Sequence, residues 1–187
     1  MVFARYRREE DGDFGRQVGL HWLLVVSLII MPAWSYLQFG VGYFKNYDPE
    51  KAQKTLASLQ EHVDQANAQG GEILFITQRQ LISMHMLHNV KLVPEYERED
   101  LMELAMSNNL QYLGQFQYDM ENQRFALIVV DPLNFTVLKT NRAFAEENNV
   151  WVTRVMRSIL CNYREEVTFA DDDIAMYVPQ TGTRHCP

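Results

Sequence analysis

The chain predicts an α/β protein: one N-terminal transmembrane helix, then a small three-layer, mostly parallel-sheet, Rossmann-like soluble domain with a C-terminal antiparallel hairpin. Three observations predict it. Between Arg16 and Lys45 no residue is charged, and this run exceeds the ~20 residues a helix needs to cross a bilayer core. Downstream, short continuous apolar runs alternate with segments of helical period, the pattern of β-α-β units around a parallel sheet. Near the C-terminus, two alternating apolar and polar segments flank Asp171-Asp172-Asp173, the pattern of a hairpin.

Taken in order, residues 1–17 carry both signs of charge with Gly12 and Gly15, and read as a disordered cytoplasmic tail. Residues 18–44 are the predicted spanning helix. Trp22 at one end and Trp34, Tyr36, Tyr43 and Phe44 at the other suit the two membrane interfaces. Arg5, Arg7, Arg8 and Arg16 before the run outnumber Lys45, Lys51 and Lys54 after it. That bias places the N-terminus inside and the following domain outside the cell membrane. Residues 45–70 read as a helical connector, with Asp48 as N-cap, Pro49 at the first helical position and Gly70-Gly71 as the stop. Leu56, Leu59 and Val63 give it a thin apolar stripe.

Residues 71–180 are the predicted domain and residues 181–187 a flexible tail. Residues 72–77 (EILFIT) follow two glycines and read as a buried strand. Residues 78–88 read as a helix, and residues 90–93, bounded by Asn89 and Pro94, as a second strand. Residues 99–122 are helical, with Leu101, Leu104, Ala105, Leu110, Leu113 and Phe116 inward and a break signal at Ser107-Asn108-Asn109. Residues 125–130 (FALIVV) form the strongest strand, ended by Asp131-Pro132. Residues 135–138 are ambiguous between strand and loop. Residues 142–148 and 150–159 read as a helix bent at Asn148-Asn149, and residues 161–169 and 174–178 as the hairpin.

The formal charge of −7 leaves no basic stripe to neutralise phosphates, so no nucleic-acid partner is expected. Mean hydropathy of −0.26 argues against a second membrane span. Cys161 and Cys186 are too few for a disulfide scaffold; whether they pair with each other stays open. His85 and His88 lie three apart on the predicted helix, but no third ligand of matching spacing accompanies them. Glu146-Glu147 and Asp171-Asp172-Asp173 lack the alternate spacing of a calcium loop, and read as solvated acids. Asn134-Phe135-Thr136 matches the short glycosylation sequon. No metal and no cofactor are assigned. No glycine fingerprint follows the first strand: Thr77-Gln78-Arg79-Gln80 cannot cradle a dinucleotide.

In a parallel α/β sheet, ligands bind beyond the carboxyl ends of the strands. That rule gathers Thr77, Gln78, Arg79, Glu95, Tyr96 and Asp131 around one candidate crevice. Arg79 suits a phosphate or carboxylate, with Glu95 or Asp131 facing it. The alternative is an Arg79–Glu95 ion pair and a turn-capping Asp131.

The segments LFITQRQL, VPEYERE, LMELAMSNN, RFALIVV and EENNVWV together resemble the soluble C-terminal domain of certain bacterial multi-span membrane proteins. Those are glycosyltransferase-like proteins of the dolichyl-phosphate-mannose protein mannosyltransferase type. Val93-Pro94-Glu95-Tyr96, residues 124–130 and Glu147-Asn148-Asn149 with Trp151 are the most specific pieces, and the likeness covers residues 71–179. The resemblance implies an extracytoplasmic α/β domain led by a last membrane helix. It also implies a catalytic carboxylate on an early loop, which has no counterpart in these residues, so no catalytic residue is carried over.

Three functions follow as expectations. The first is a membrane-anchored extracytoplasmic module, non-catalytic by itself, that binds a partner protein or a glycan. The second is the C-terminal part, or a subunit, of a membrane glycosyltransferase using a polyprenyl-phosphate sugar donor. The third is a small structural subunit of a larger membrane complex. The expected partners are the lipid bilayer, a membrane protein and a glycan or lipid-linked sugar.

Overall fold

The strongest apolar run of the chain, FALIVV, becomes an inner strand of a four-stranded sheet in the computed structural model. The structure describes residues 21–22, 24–40, 48–132, 135–182 and 186. Expectations for the tail at residues 1–17, for Tyr43 and Phe44, and for the sequon asparagine Asn134 lie outside the described residues. The chain divides into two compact units, Met1–Pro49 and Glu50–Pro187.

In the first unit the spanning helix predicted over residues 18–44 is overturned. Among the described residues no helix is long and apolar enough to cross a membrane. Residues 21–22 and 24–35 are α-helical, and a π-helical turn follows over Tyr36–Gly40. An uncharged run sets only an upper bound on helix length, and here the backbone changes ladder partway along it.

The second unit begins with α1 (Pro49–Ala68), followed by β1 (Glu72–Phe75) and a single turn, α2 (Gln80–Ser83). Then come α3 (Arg98–Met106), α4 (Leu110–Glu121) and β2 (Phe125–Val130). A helix of three parts follows: α5 (Ala145–Trp151), a π-helical turn (Val152–Met156) and α6 (Arg157–Asn162). The hairpin β3 (Tyr163–Phe169) and β4 (Ile174–Pro179) closes the order. The sheet runs β1-β2-β4-β3. β1 and β2 are parallel, whereas β4 is antiparallel to both β2 and β3.

The sheet is therefore mixed, and the mostly parallel, Rossmann-like sheet is corrected. The strand expected at residues 90–93 does not form. Asn89 stands at φ 59° and turns the chain before it, and Pro94 carries no donor after it. Gln60 and Asn67 of α1 hold His88 and Asn89, with Asn67 Nδ2 donating to the Asn89 carbonyl at 2.8 Å. The helix expected over residues 78–88 shrinks to α2 because His85 is left-handed at φ 56°, so His85 and His88 share no helix face. Leu110, expected inward, is 72% exposed. The left-handed Asn108 rotates α4 relative to α3, and Asn109 caps α4 by accepting from the Tyr112 N–H.

Alternation along the strands sends side chains to two cores. Leu74, Ile76, Ile128, Val130, Ala175 and Tyr177 pack against Leu101, Phe116, Met120, Val155 and Ile159 of the later helices. Ile73, Phe75, Leu127, Val129, Ile174 and Met176 pack against Leu59, Val63 and Ala66 of α1. The thin stripe of α1 thus covers one whole sheet face. Gly71 opens β1 at a close approach: a Cβ there would lie 2.2 Å from the Ala126 Cβ. The ambiguous residues 135–138 form no strand. Asn149 accepts from the Leu138 N–H at 2.7 Å and donates to its carbonyl at 2.8 Å, fixing that segment to α5.

Three phenols, Tyr96, Tyr163 and Tyr177, lie in the core at 2% exposure or less. Burial pushes all three up, Tyr163 to about 12. Folded pKa values above the unfolded ~10 mean that stability is complete below pH 10 and lost as pH climbs towards the folded values. Two pH units on Tyr163 correspond to about 2–3 kcal/mol. Urea midpoints measured from pH 8 to pH 12 should stay level to about pH 9 and fall beyond 10, and a level profile to pH 12 would refute the assignment.

Candidate functional site at the carboxyl ends of the parallel strands

β1 and β2 both end where the chain turns sharply, and each places a small polar residue two positions beyond the paired Phe75 and Val129: Thr77 and Asp131. Thr77 Oγ1 and Asp131 Oδ1 are buried and accept or donate no hydrogen bond among the described residues. The other Asp131 oxygen, Oδ2, takes Arg98 of α3 at 2.9 Å. Arg98 is fixed there because its own N–H donates to the Ile76 carbonyl at 3.0 Å. Asp131 is 29% exposed in its side chain and Arg98 51%, so the pair opens to solvent. A buried polar atom left without a partner costs about 1–3 kcal/mol. Thr77 and Asp131 both follow the ends of the paired strands β1 and β2, where a ligand could complete such atoms; Thr168 Oγ1 on β3 is a third unpartnered atom.

The backbone around this end is held in uncommon conformations. Gln78, Tyr96 and Asp173 stand at φ 59°, 65° and 51°, the left-handed region that bulky residues avoid. Gln78 Nε2 donates to the Asp173 carbonyl at 3.3 Å. Strain of this kind persists only where neighbours over-determine it. For Tyr96 they do: its N–H donates to the Tyr112 hydroxyl, its own hydroxyl donates to Asp119, and Arg79 grips the preceding carbonyl.

Of the residues gathered by the strand-end rule, Thr77, Gln78 and Asp131 follow the ends of the paired strands β1 and β2, and the others have different tasks. Arg79 faces no carboxylate of Glu95 or Asp131. Its Nε donates to the Phe75 carbonyl at 2.8 Å, and its terminal nitrogens donate to the carbonyls of Pro94 at 3.2 Å and Glu95 at 2.9 Å. Its nearest acid is Glu97, at 3.7 Å. Arg79 is a clamp that ties residues 94–95 to the end of β1. Tyr96 points inward, and Glu95 lines a separate cleft.

That cleft, of about 450 Å³, lies at the opposite end, between Gly70–Ile73 and residues 91–95, with Asn67 and Arg124 on its walls. Behind it runs a polar network. Asp119, 5% exposed, accepts from the Tyr96 hydroxyl at 2.7 Å, from Gln115 Nε2 at 2.9 Å and from Arg124 at 2.9 Å. Arg124 also donates to Glu72 at 2.8 Å. These hydrogen bonds raise the Arg124 pKa against the opposing effect of its burial.

Sequence reasoning missed Arg98, Asp119, Arg124 and Lys91. A signal for Asp119 was its place three residues after the inward Phe116, which puts both on one helix face. Arg124 announced itself only as the residue opening FALIVV. No family model, curated protein or solved structure matches the chain.

Proposed function

We propose that this domain is an extracytoplasmic binding module, non-catalytic by itself, whose crevice at the carboxyl ends of β1 and β2 takes a hydroxyl-rich ligand, a glycan. The observation that carries it is that Thr77 Oγ1 and Asp131 Oδ1, two residues beyond the paired Phe75 and Val129, are buried without partners. Every sugar hydroxyl both donates and accepts. A carboxylate oxygen, a threonine hydroxyl, the Gln78 amide and the open side of Arg98 offer complementary partners in a small space. What this set supplies is orientation and hydrogen bonding, with no base hydrogen-bonded to the Thr77 hydroxyl to make it a nucleophile. The ligand class is the one implied by the resemblance to lipid-linked-sugar transferase domains. The disulfide between Cys161 and Cys186 supports the extracytoplasmic placement, since such bridges persist in oxidising compartments.

Titration of the isotope-labelled full chain with a panel of neutral trisaccharides, mannotriose first, tests this by amide shifts. At least one sugar should move the amides of Thr77, Gln78 and Asp131. Asp131→Ala should weaken that binding tenfold or more. Thr77→Val should also weaken binding, yet raise stability by about 1 kcal/mol, because it removes an unsatisfied buried hydroxyl. Absence of shifts at this end with the whole panel would overturn the reading.

A further inference from the structure

β1 is an edge strand: it pairs β2 on one side and, among the described residues, no strand on the other. An edge presents backbone N–H and C=O groups that can pair with another extended chain; here Arg79 takes the Phe75 carbonyl, and the first residues of β1 line the cleft. The 450 Å³ cleft that its first residues line is also lined by Lys91, Leu92 and Val93 of the segment VKLV, residues 90–93, which belongs to no helix or strand. Val90, Lys91, Leu92 and Val93 make no hydrogen bond among the described residues, backbone or side chain. Yet the segment is not loose at its ends. Gln60 and Asn67 hold it at His88 and Asn89, and Arg79 holds it at Pro94 and Glu95. A strand edge and a segment without hydrogen bonds of its own thus line one cleft.

We propose that this cleft is a docking site for an extended peptide of a partner protein, which adds to the outer edge of β1 and pairs residues 90–93 on its other side. The chemistry selects a peptide over other ligands. Only another extended backbone presents donors and acceptors alternately to both sides at the ~3.3 Å rise of a strand. The cleft wall adds selectivity. Lys91 and Glu95 are both exposed there and form no ion pair among the described residues, whereas Arg124 is already engaged by Glu72 and Asp119. Leu92, 46% exposed, supplies apolar contact beside Lys91. The favoured peptide alternates apolar residues with an acidic side chain that meets Lys91. This inference is independent of the crevice at the carboxyl ends, which lies at the other end of the parallel strands.

The test uses the full chain, isotope-labelled, and the pentapeptide Ac-Val-Glu-Val-Glu-Val-NH2. Saturable shifts are expected at Ile73 and at residues 90–93. N-methylation of alternate peptide residues, in either frame, removes the donors facing one wall, and should weaken binding at least tenfold; a ligand held by side chains alone would be indifferent. Replacing both Glu by Lys should weaken binding to the wild type, and Lys91→Glu should reverse that preference without changing the far-ultraviolet circular dichroism. Four results would overturn the proposal: no saturable binding, insensitivity to N-methylation, shifts confined to other surfaces, or a charge preference that ignores Lys91. So would protection of the Val90–Val93 amides from exchange in the free protein, which would mean that the segment pairs β1 directly and the gap closes.

Discussion

Replacing Asp119 by Ala is expected to remove about 3–5 kcal/mol of stability, the cost of breaking a buried charge pair from one side. Among the described residues Asp119 is the only acceptor of the Tyr96 hydroxyl, and it holds one arm of Arg124 at 2.9 Å. Its removal strands a buried phenol and leaves Arg124, 33% exposed in its side chain, with Glu72 alone. Tyr96 is the hub of the aromatic packing, edge-on to Phe116 at 5.0 Å and to Tyr112 at 5.6 Å. Its left-handed backbone also depends on these contacts. The loss should appear as a lower urea midpoint with an unchanged slope. Tyr96→Phe should cost less, about 1–2 kcal/mol, because Asp119 keeps Arg124 and Gln115. The double variant should be less than additive, since both changes remove one hydrogen bond. A loss below about 1 kcal/mol for Asp119→Ala would show that the network is not what holds Tyr96 in place.

Removal of the Cys161–Cys186 bridge is expected to cost about 3.5 kcal/mol, the chain-entropy value for a closed loop of 25 residues. The bridge joins α6 to the end of the chain across the hairpin. The same junction has a second fastening that a serine pair would leave intact. The Gln180 N–H donates to the Asn162 carbonyl at 2.9 Å, and Gln123 Nε2 donates to the carbonyls of both Asn162 and Gln180. The folded geometry of Cys161→Ser/Cys186→Ser should therefore match the wild type by circular dichroism, with the loss confined to the unfolding midpoint. A reductant should lower the wild-type midpoint to that of the variant and leave the variant unmoved. Equal midpoints with and without reductant in the wild type would refute a stabilising bridge.

Several parts of this protein were legible without coordinates. FALIVV is apolar at every position and could only be an inner strand. The alternating segments on either side of Asp171-Asp172-Asp173 could only be a hairpin, because period two with a polar turn has few other solutions. The stop at Gly70-Gly71 was legible, although the collision of a Gly71 Cβ with Ala126 was not. The strand-end rule placed Thr77 and Asp131 just beyond the ends of β1 and β2, since it needs only the order of elements.

What the sequence determined is the set of local elements and their apolar faces, because propensity and periodicity act over a few residues. Which face meets which was decided by the tertiary structure. VKLV has strand character, yet stands apart from the sheet because side chains of α1 and Arg79 fix its ends. Arg79 reads as an anion site but spends its donors on three carbonyls. Asp119, which the helical period alone does not single out, lies buried and is bonded to Tyr96 and Arg124. The long uncharged run reads as one helix but changes ladder at Tyr36. In each case the deciding partner lies far along the chain or in the backbone itself, where composition and spacing carry no information.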